Sequence, residues 1–141
     1  MGTPPEDVTF EYATPATADF IALREECGWG RATEQDAETA LANTLCSVCC
    51  YEGETLIGMG RIIGDGALYF FVEDIVVRPA YQGQQVGKTI VDMLLAKIAP
   101  MQSKVSCTGL FAAKGKEGFY SRFGFSARPS ETKGAGMTKF P

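Results

Sequence analysis

Val8 to Tyr12 alternates Val, Phe and Tyr with polar residues, the period-two pattern of a short half-buried strand. Beyond it, Thr14-Pro15 or Thr17 can open a helix that runs to about Cys27 and turns Phe20, Leu23 and Cys27 inward. Gly28-Trp29-Gly30 breaks that helix. Thr33, with Asp36 three residues on, is then placed to cap a second helix over residues 34 to 44, whose apolar positions include Ala37, Ala40 and Leu41. Two apolar runs, residues 45 to 51 and 54 to 63, flank Glu52-Gly53 and predict an antiparallel hairpin, with Gly64-Asp65-Gly66 as the next turn.

Residues 67 to 77 are apolar on both alternations except at Glu73 and Asp74, as expected of a central strand covered on both faces. Arg78-Pro79 stops that strand. Val86, Ile90, Leu94 and Ile98, with Val91 and Leu95 beside them, recur at helical spacing and predict an amphipathic helix that ends before Pro100. Lys104 to Leu110 supplies another strand, and Lys116 to Phe123 a short helix with Phe119 and Phe123 one turn apart, stopped by Gly124. The tail from Phe125 reads as one or two final strands around Gly134-Ala135-Gly136. The resulting order, β α α β β β α β α β, is α+β with a mixed sheet and a parallel crossover around the helix at residues 85 to 99. There is no repeat, low-complexity tract or linker, so one domain over residues 1–141 is expected.

Composition narrows the chemistry. The chain has 141 residues, 45% of them hydrophobic and 21% charged, enough for a core without disulfides or metals as staples. Thirteen Lys+Arg against 17 Asp+Glu give a net charge of -4, no basic field for nucleic-acid phosphates, and a balance that suits either a cationic substrate or simple solubility. With no histidine, an imidazole-dependent triad, a His-ligated zinc and an imidazole pH switch are all excluded. The five cysteines are an odd number, and the opening Met1 to Asp7 carries no secretory pattern, so a reduced, cytoplasmic compartment is expected. Cys46-Ser47-Val48-Cys49-Cys50 holds a C-x-x-C without a second ligand pair, inside an apolar run, and reads as core rather than metal. No apolar stretch approaches the ~20 residues of a membrane helix.

Candidate chemistry concentrates between Val76 and Lys88. Gly83, Gly87, Lys88 and Thr89 imitate a phosphate-binding P-loop, but the spacing between the glycines fails by one, and a dinucleotide G-x-G-x-x-G is absent. What is left is a strand, a Gly-containing turn and a helix N-terminus, whose free N–H groups and positive dipole end can hold an anionic pyrophosphate with Lys88 adding charge. An ordinary strand-to-helix connection accounts for the same residues.

Taken with its surroundings, this segment resembles the GNAT superfamily of acyl-coenzyme A dependent N-acetyltransferases, and in particular a small bacterial branch of it. Gln82-Gly83-Gln84-Gln85-Val86-Gly87 is similar to the family's Q/R-x-x-G-x-G/A signature, with Gln85 at the inner glycine position. Gly118-Phe119-Tyr120-Ser121-Arg122-Phe123-Gly124-Phe125 resembles its F-Y-x-x-x-G-F segment, one helix and one strand downstream. The resemblance implies a GNAT-like mixed sheet of six to seven strands flanked by about four helices, acetyl-CoA as cosubstrate, no metal, and direct acetyl transfer to a primary amine of a small molecule or peptide. It also implies that residues 82–88 (Gln82, Gly83, Gln84, Gln85, Val86, Gly87, Lys88) cradle the pyrophosphate, and that the backbone of Ile75, Val76 and Val77 holds the pantetheine arm. Neither nucleic acid nor membrane is an expected partner; a homodimer is common in the resembled family.

Acetyl transfer from a thioester to an amine needs a neutral amine, a stabilised oxyanion and a protonated leaving thiolate. The resemblance makes Tyr120 the acid; without it, a tyrosine packed among Phe119 and Phe123 is the plainer reading. Glu73 is the favoured base or amine anchor, with a carboxylate paired to Arg61 or Arg78 as the competing reading. Side-chain alternation sends Glu73 and Asp74 to opposite faces, so at most one would face the reaction centre, and Asp74 is assigned to the substrate side or to a neighbouring loop. Trp29 offers an aromatic face to a cationic amine, or else packs in the core. A non-catalytic acyl-CoA-binding or regulatory protein of the same architecture is the alternative function.

Overall fold

The computed structural model describes residues 4–141, so the first three residues of the opening segment lie outside it. Five strands form one sheet in the order β1 (Val8–Tyr12), β2 (Cys46–Glu52), β3 (Thr55–Gly64), β4 (Tyr69–Val77) and β5 (Cys107–Leu110). The first three pairings are antiparallel and β4–β5 is parallel. Helices α1 (Thr17–Glu26) and α2 (Glu34–Ala42) lie between β1 and β2, α3 (Val86–Ile98) makes the crossover from β4 to β5, and α4 (Glu117–Ser121) follows β5.

Local chemistry explains most of these boundaries. Asp36 N–H donates to Thr33 Oγ1 at 3.1 Å, the cap expected for α2. Gly53, at φ 60°, occupies the left-handed position of the two-residue turn between β2 and β3. In the next turn the Asp65 carboxylate accepts from the N–H groups of Ala67, Leu68 and Tyr69 at 2.7 to 3.1 Å.

The sheet is covered on both faces. On one, Val86, Ile90, Leu94 and Ile98 of α3 pack against Val48, Cys50, Ile57, Ile62, Phe70 and Val72. On the other, Phe20, Ile21 and Leu23 of α1 and Ala37 and Leu41 of α2 pack against Cys49, Leu56, Met59 and Val76. Each large aliphatic side chain buried this way contributes about 1.5–3 kcal/mol, so the helical periodicities read from the sequence become the two halves of the core.

The expected sixth and seventh strands do not form. Among the described residues no strand follows Leu110, and residues 126–141 are exposed throughout. The tail lacks the β-branched alternation that would pay for pairing, carries Gly134 and Gly136, and folds locally instead: Ser130 N–H donates to Lys133 O at 2.8 Å, and Gly136 lies against the Phe111 ring.

Candidate active site

The site begins with a gap in the sheet. β5 pairs with β4 only across Tyr69 to Val72, whereas on the other side β3 pairs with β4 out to Val77. β5 ends at Leu110, opposite Val72, so among the described residues positions 73 to 77 have no strand on their β5 side, and the backbone of Ile75, Val76 and Val77 lies on an open edge of β4. Pro79 to Tyr81 then turns the chain through a short 3-10 helix into α3. Gln82 Nε2 donates to Val77 O at 2.8 Å and Gln84 Nε2 to Ala80 O at 3.1 Å, so these two side chains brace the turn from within.

Gln85 is the residue that decides the turn's shape. It adopts the left-handed conformation, φ 68° and ψ 9°, that a glycine would take without strain, and Gly83 before it has φ 76°. The substitution at the inner glycine position changes the side chain and keeps the turn. The first intrahelical bond at the start of α3 runs from Thr89 N–H to Gln85 O at 3.1 Å, so the N–H groups of Val86, Gly87 and Lys88 precede the ladder and face the opening end of the helix. Lys88 is held at the surface by Asp92, 2.7 Å away.

Gly87 joins three elements. A Cβ there would lie 3.6 Å from Phe119 Cζ and 3.9 Å from Val77 Cγ2, so the end of β4, the start of α3 and the short helix α4 meet at this point. Tyr120 follows Phe119 on α4, half-buried, its ring edge-on to Phe119 at 5.0 Å and to Phe125 at 6.2 Å. Burial first, and then the negative charge of Glu73, push its phenol above the ordinary value of 10.0, which keeps it a proton donor at neutral pH.

The two strand acids do not alternate. Arg61 lies directly opposite Glu73, and between Met59 and Arg61 the register shifts, placing an extra residue in β4. Asp74 takes that position with φ 52°. Cross-strand partners share a face, so Glu73 is on the side of Arg61, and Asp74 reaches Arg61 as well. The bulge thus brings both carboxylates to the α1 side, against the expectation from simple alternation. Burial and the neighbouring Asp74 raise the Glu73 carboxyl above its usual value, with Arg61 and Arg24 opposing. Among the described residues Glu73 has no ion-pair partner: Arg61 is bound to Asp74, and Arg78 to Glu26.

Asp74 is not exposed to a substrate. It is 2% exposed, with Oδ1 held by Arg24 Nη1 and Oδ2 by Arg61 Nε at 2.6 Å, so both carboxylate oxygens are already bound where a substrate contact was expected. Trp29 is 41% exposed, outside the core, but the Arg24 guanidinium lies 5.7 Å from its ring centroid and occupies the environment foreseen for a cationic amine. The sequence reading missed Arg24 and the bulge; two acids adjacent in a buried strand were the signal that two cations had to be found for them. Among the described residues no cluster of His, Cys, Asp and Glu could hold a metal ion, and no helix is long and apolar enough to cross a membrane.

Residues 42–127 match the family described as acetyltransferase (GNAT) domain. The chain is 38% identical over 136 residues to GCN5-related N-acetyltransferase 2, chloroplastic, of Arabidopsis thaliana, covering 82% of this chain and 52% of that one. It is 31% identical over 127 residues to Histone acetyltransferase TAP1 of Glycine max, covering 82% of this chain and 54% of the relative, so it spans about half the length of these two plant proteins. Similarity therefore extends beyond the bacterial branch to plants. Among solved structures, the probable acetyltransferase SA2161 of meticillin-resistant Staphylococcus aureus superposes with a TM-score of 0.86 at 35% identity, covering 95% of this chain and 99% of that one. With the open end of β4, the turn into α3 and the aromatic α4 all in place, the chain belongs to the GNAT family of acetyltransferases.

Proposed function

We propose that the protein, as one GNAT domain over residues 1–141, transfers an acetyl group from acetyl-CoA directly to a primary amine of a small molecule or peptide. The observation that carries this reading is the convergence at Gly87 of the unpaired end of β4, the free N–H groups of α3 and the helix bearing Tyr120. The cradle fits an acyl-coenzyme A: Gln85 holds the left-handed turn, and Gly87 brings the start of α3 against Phe119 and Val77 with no side chain between. Residues 82–88 would hold the pyrophosphate, and the backbone of Ile75, Val76 and Val77 the pantetheine arm, as a strand partner would. Bound there, the coenzyme supplies an activated acyl carbon.

The protein's own groups manage the protons. A bond forms between the amine nitrogen and the acyl carbon, and the carbon–sulfur bond then breaks; Glu73 accepts the proton the nitrogen sheds, and Tyr120 O–H supplies one to the departing sulfur. A backbone N–H at the open edge of β4 can stabilise the oxyanion between those events. That Glu73 has no ion pair among the described residues supports the base role over a purely structural one.

Turnover with acetyl-CoA against a panel of amines tests this, alongside calorimetry with acetyl-CoA, coenzyme A and ATP. Tyr120→Phe is expected to lower kcat by about 10²- to 10⁴-fold with coenzyme affinity retained, and Gly87→Trp to abolish coenzyme binding in a folded protein by driving a ring into Phe119 and Val77. Coenzyme binding without turnover on any amine would favour the non-catalytic acyl-CoA-binding alternative, and ATP binding without coenzyme binding would overturn both. The soybean relative is named a histone acetyltransferase, which puts a protein amine among the acceptors to screen.

Assembly and compartment belong to the same proposal. Among the described residues β5 pairs with β4 alone, and a cleft of about 1490 Å³ is lined by β5, the exposed Phe111 and part of the tail. Pairing of two copies across that edge is the assembly proposed; a monomeric mass by light scattering at micromolar concentration would exclude it. All five cysteines are free thiols, which suits a reducing compartment such as the cytoplasm.

A further inference from the structure

We propose that Asp74 is a positioning residue for the base: held by Arg24 from α1 and Arg61 from β3, its carboxylate keeps both guanidiniums off Glu73 and fixes the bulge that sets Asp74 beside Glu73 on the α1 side. This rests on the reading of Glu73 as the base. The geometry is specific. Arg61 stands directly across from Glu73 in the strand register, where an acid and a base form a cross-strand ion pair by default. That pair does not form; Arg61 is directed elsewhere: Nε donates to Asp74 Oδ2 at 2.6 Å, and Nη1 to Thr44 Oγ1 at 3.1 Å and Ala40 O at 3.4 Å.

Arg24 is drawn in the same direction. Its Nη1 binds Asp74 Oδ1, its Nη2 reaches Trp29 O at 3.5 Å, and its buried Nε has no partner, a cost accepted for reaching Asp74. Phe20 forms the apolar floor, 5.6 Å from the Arg24 guanidinium and 5.8 Å from that of Arg61. The carboxylate sits on a backbone with φ 52°, a conformation unfavourable for a residue with a Cβ, so the two ion pairs hold the bulge as well as the arginines. The groups that face Glu73 are then Asp74 on its own strand, Arg61 on β3, Arg24 on α1 and Tyr120 on α4. Neutralising Asp74 releases two cations toward Glu73, and removing Arg24 leaves the Asp74 charge half compensated.

The test is kcat against pH for the wild type, Glu73→Gln, Asp74→Asn and Arg24→Gln, each checked for its melting temperature and acetyl-CoA affinity. A base must be deprotonated to act, so wild-type activity should rise through the Glu73 titration on the acid side, and Glu73→Gln should remove that limb. Asn tolerates the left-handed conformation; Asp74→Asn should therefore fold and shift the limb to lower pH. Arg24→Gln should shift it to higher pH. Coenzyme affinity should be unchanged in both. A purely structural role would lower kcat and the melting temperature and leave the limb where it was, and that result in both variants overturns the proposal. If Asp74→Asn does not fold, the direction of the Arg24→Gln shift decides alone. A limb that survives Glu73→Gln would sink the base reading itself, a failure distinguishable from that of the clamp.

Discussion

At Gln85 a mismatch in residue name conceals a match in conformation. The resembled signature has glycine there, and the glutamine adopts φ 68°, a conformation glycine takes without strain. A side chain in this region costs about 1–2 kcal/mol, so Gln85→Gly is expected to stabilise the fold by about 1 kcal/mol in denaturant titration while coenzyme binding is kept. A loss of stability would mean that the glutamine makes contacts that outweigh its backbone strain. Glu73 and Asp74 teach the converse. Their identities made them candidates, but the rule of alternation misassigned their faces, because a single inserted residue shifts every later side chain in the strand.

Among the elements, strong periodicity was read correctly and weak periodicity was not. The helix from Val86 to Ile98 repeats its apolar residues over more than three turns, and it appears where expected; the tail has no such pattern and forms no strand. Close packing between elements can also be tested. A Cβ at Gly60 of β3 would fall inside van der Waals contact of Ile75, Ile90 and Leu94, so Gly60→Ala should destabilise by about 1–3 kcal/mol, measured as a lower urea midpoint. The turn between β3 and β4 carries a pH dependence of known sign. Three backbone N–H groups, led by that of Tyr69, hold the Asp65 carboxyl below its ordinary value of 3.8. Its contribution is present above that pH and is lost as pH falls through the lowered folded value. Asp65→Asn should flatten the acid end of the stability curve; an unchanged curve would show that the turn does not depend on the ionised carboxylate.

For the molecule as a whole, the two faces of the sheet give a readout of global unfolding. Cys49 and Cys50 are fully buried on opposite faces, and burial pushes their thiols up to about 11 and about 12, whereas Cys107 is exposed at the start of β5. Alkylation of the native protein should label Cys107 quickly and reach Cys49 and Cys50 only with unfolding, at a rate that follows denaturant; fast native labelling of one of the two would mean that its face opens locally. What the sequence determined alone was local or periodic: helices and strands from apolar spacing, the Thr33 cap and the Gly53 turn, the exclusion of imidazole chemistry, and two aromatic and glycine-bearing segments that resemble a known family. Only the tertiary structure decided that β5 leaves β4 unpaired beyond Val72, that Gly87 gathers β4, α3 and α4, and that Arg24 and Arg61 close on Asp74 and leave Glu73 free. Those outcomes depend on contacts between residues far apart in the chain. Strand register and charge partnership are chosen by the summed packing of the whole sheet, which no local pattern encodes.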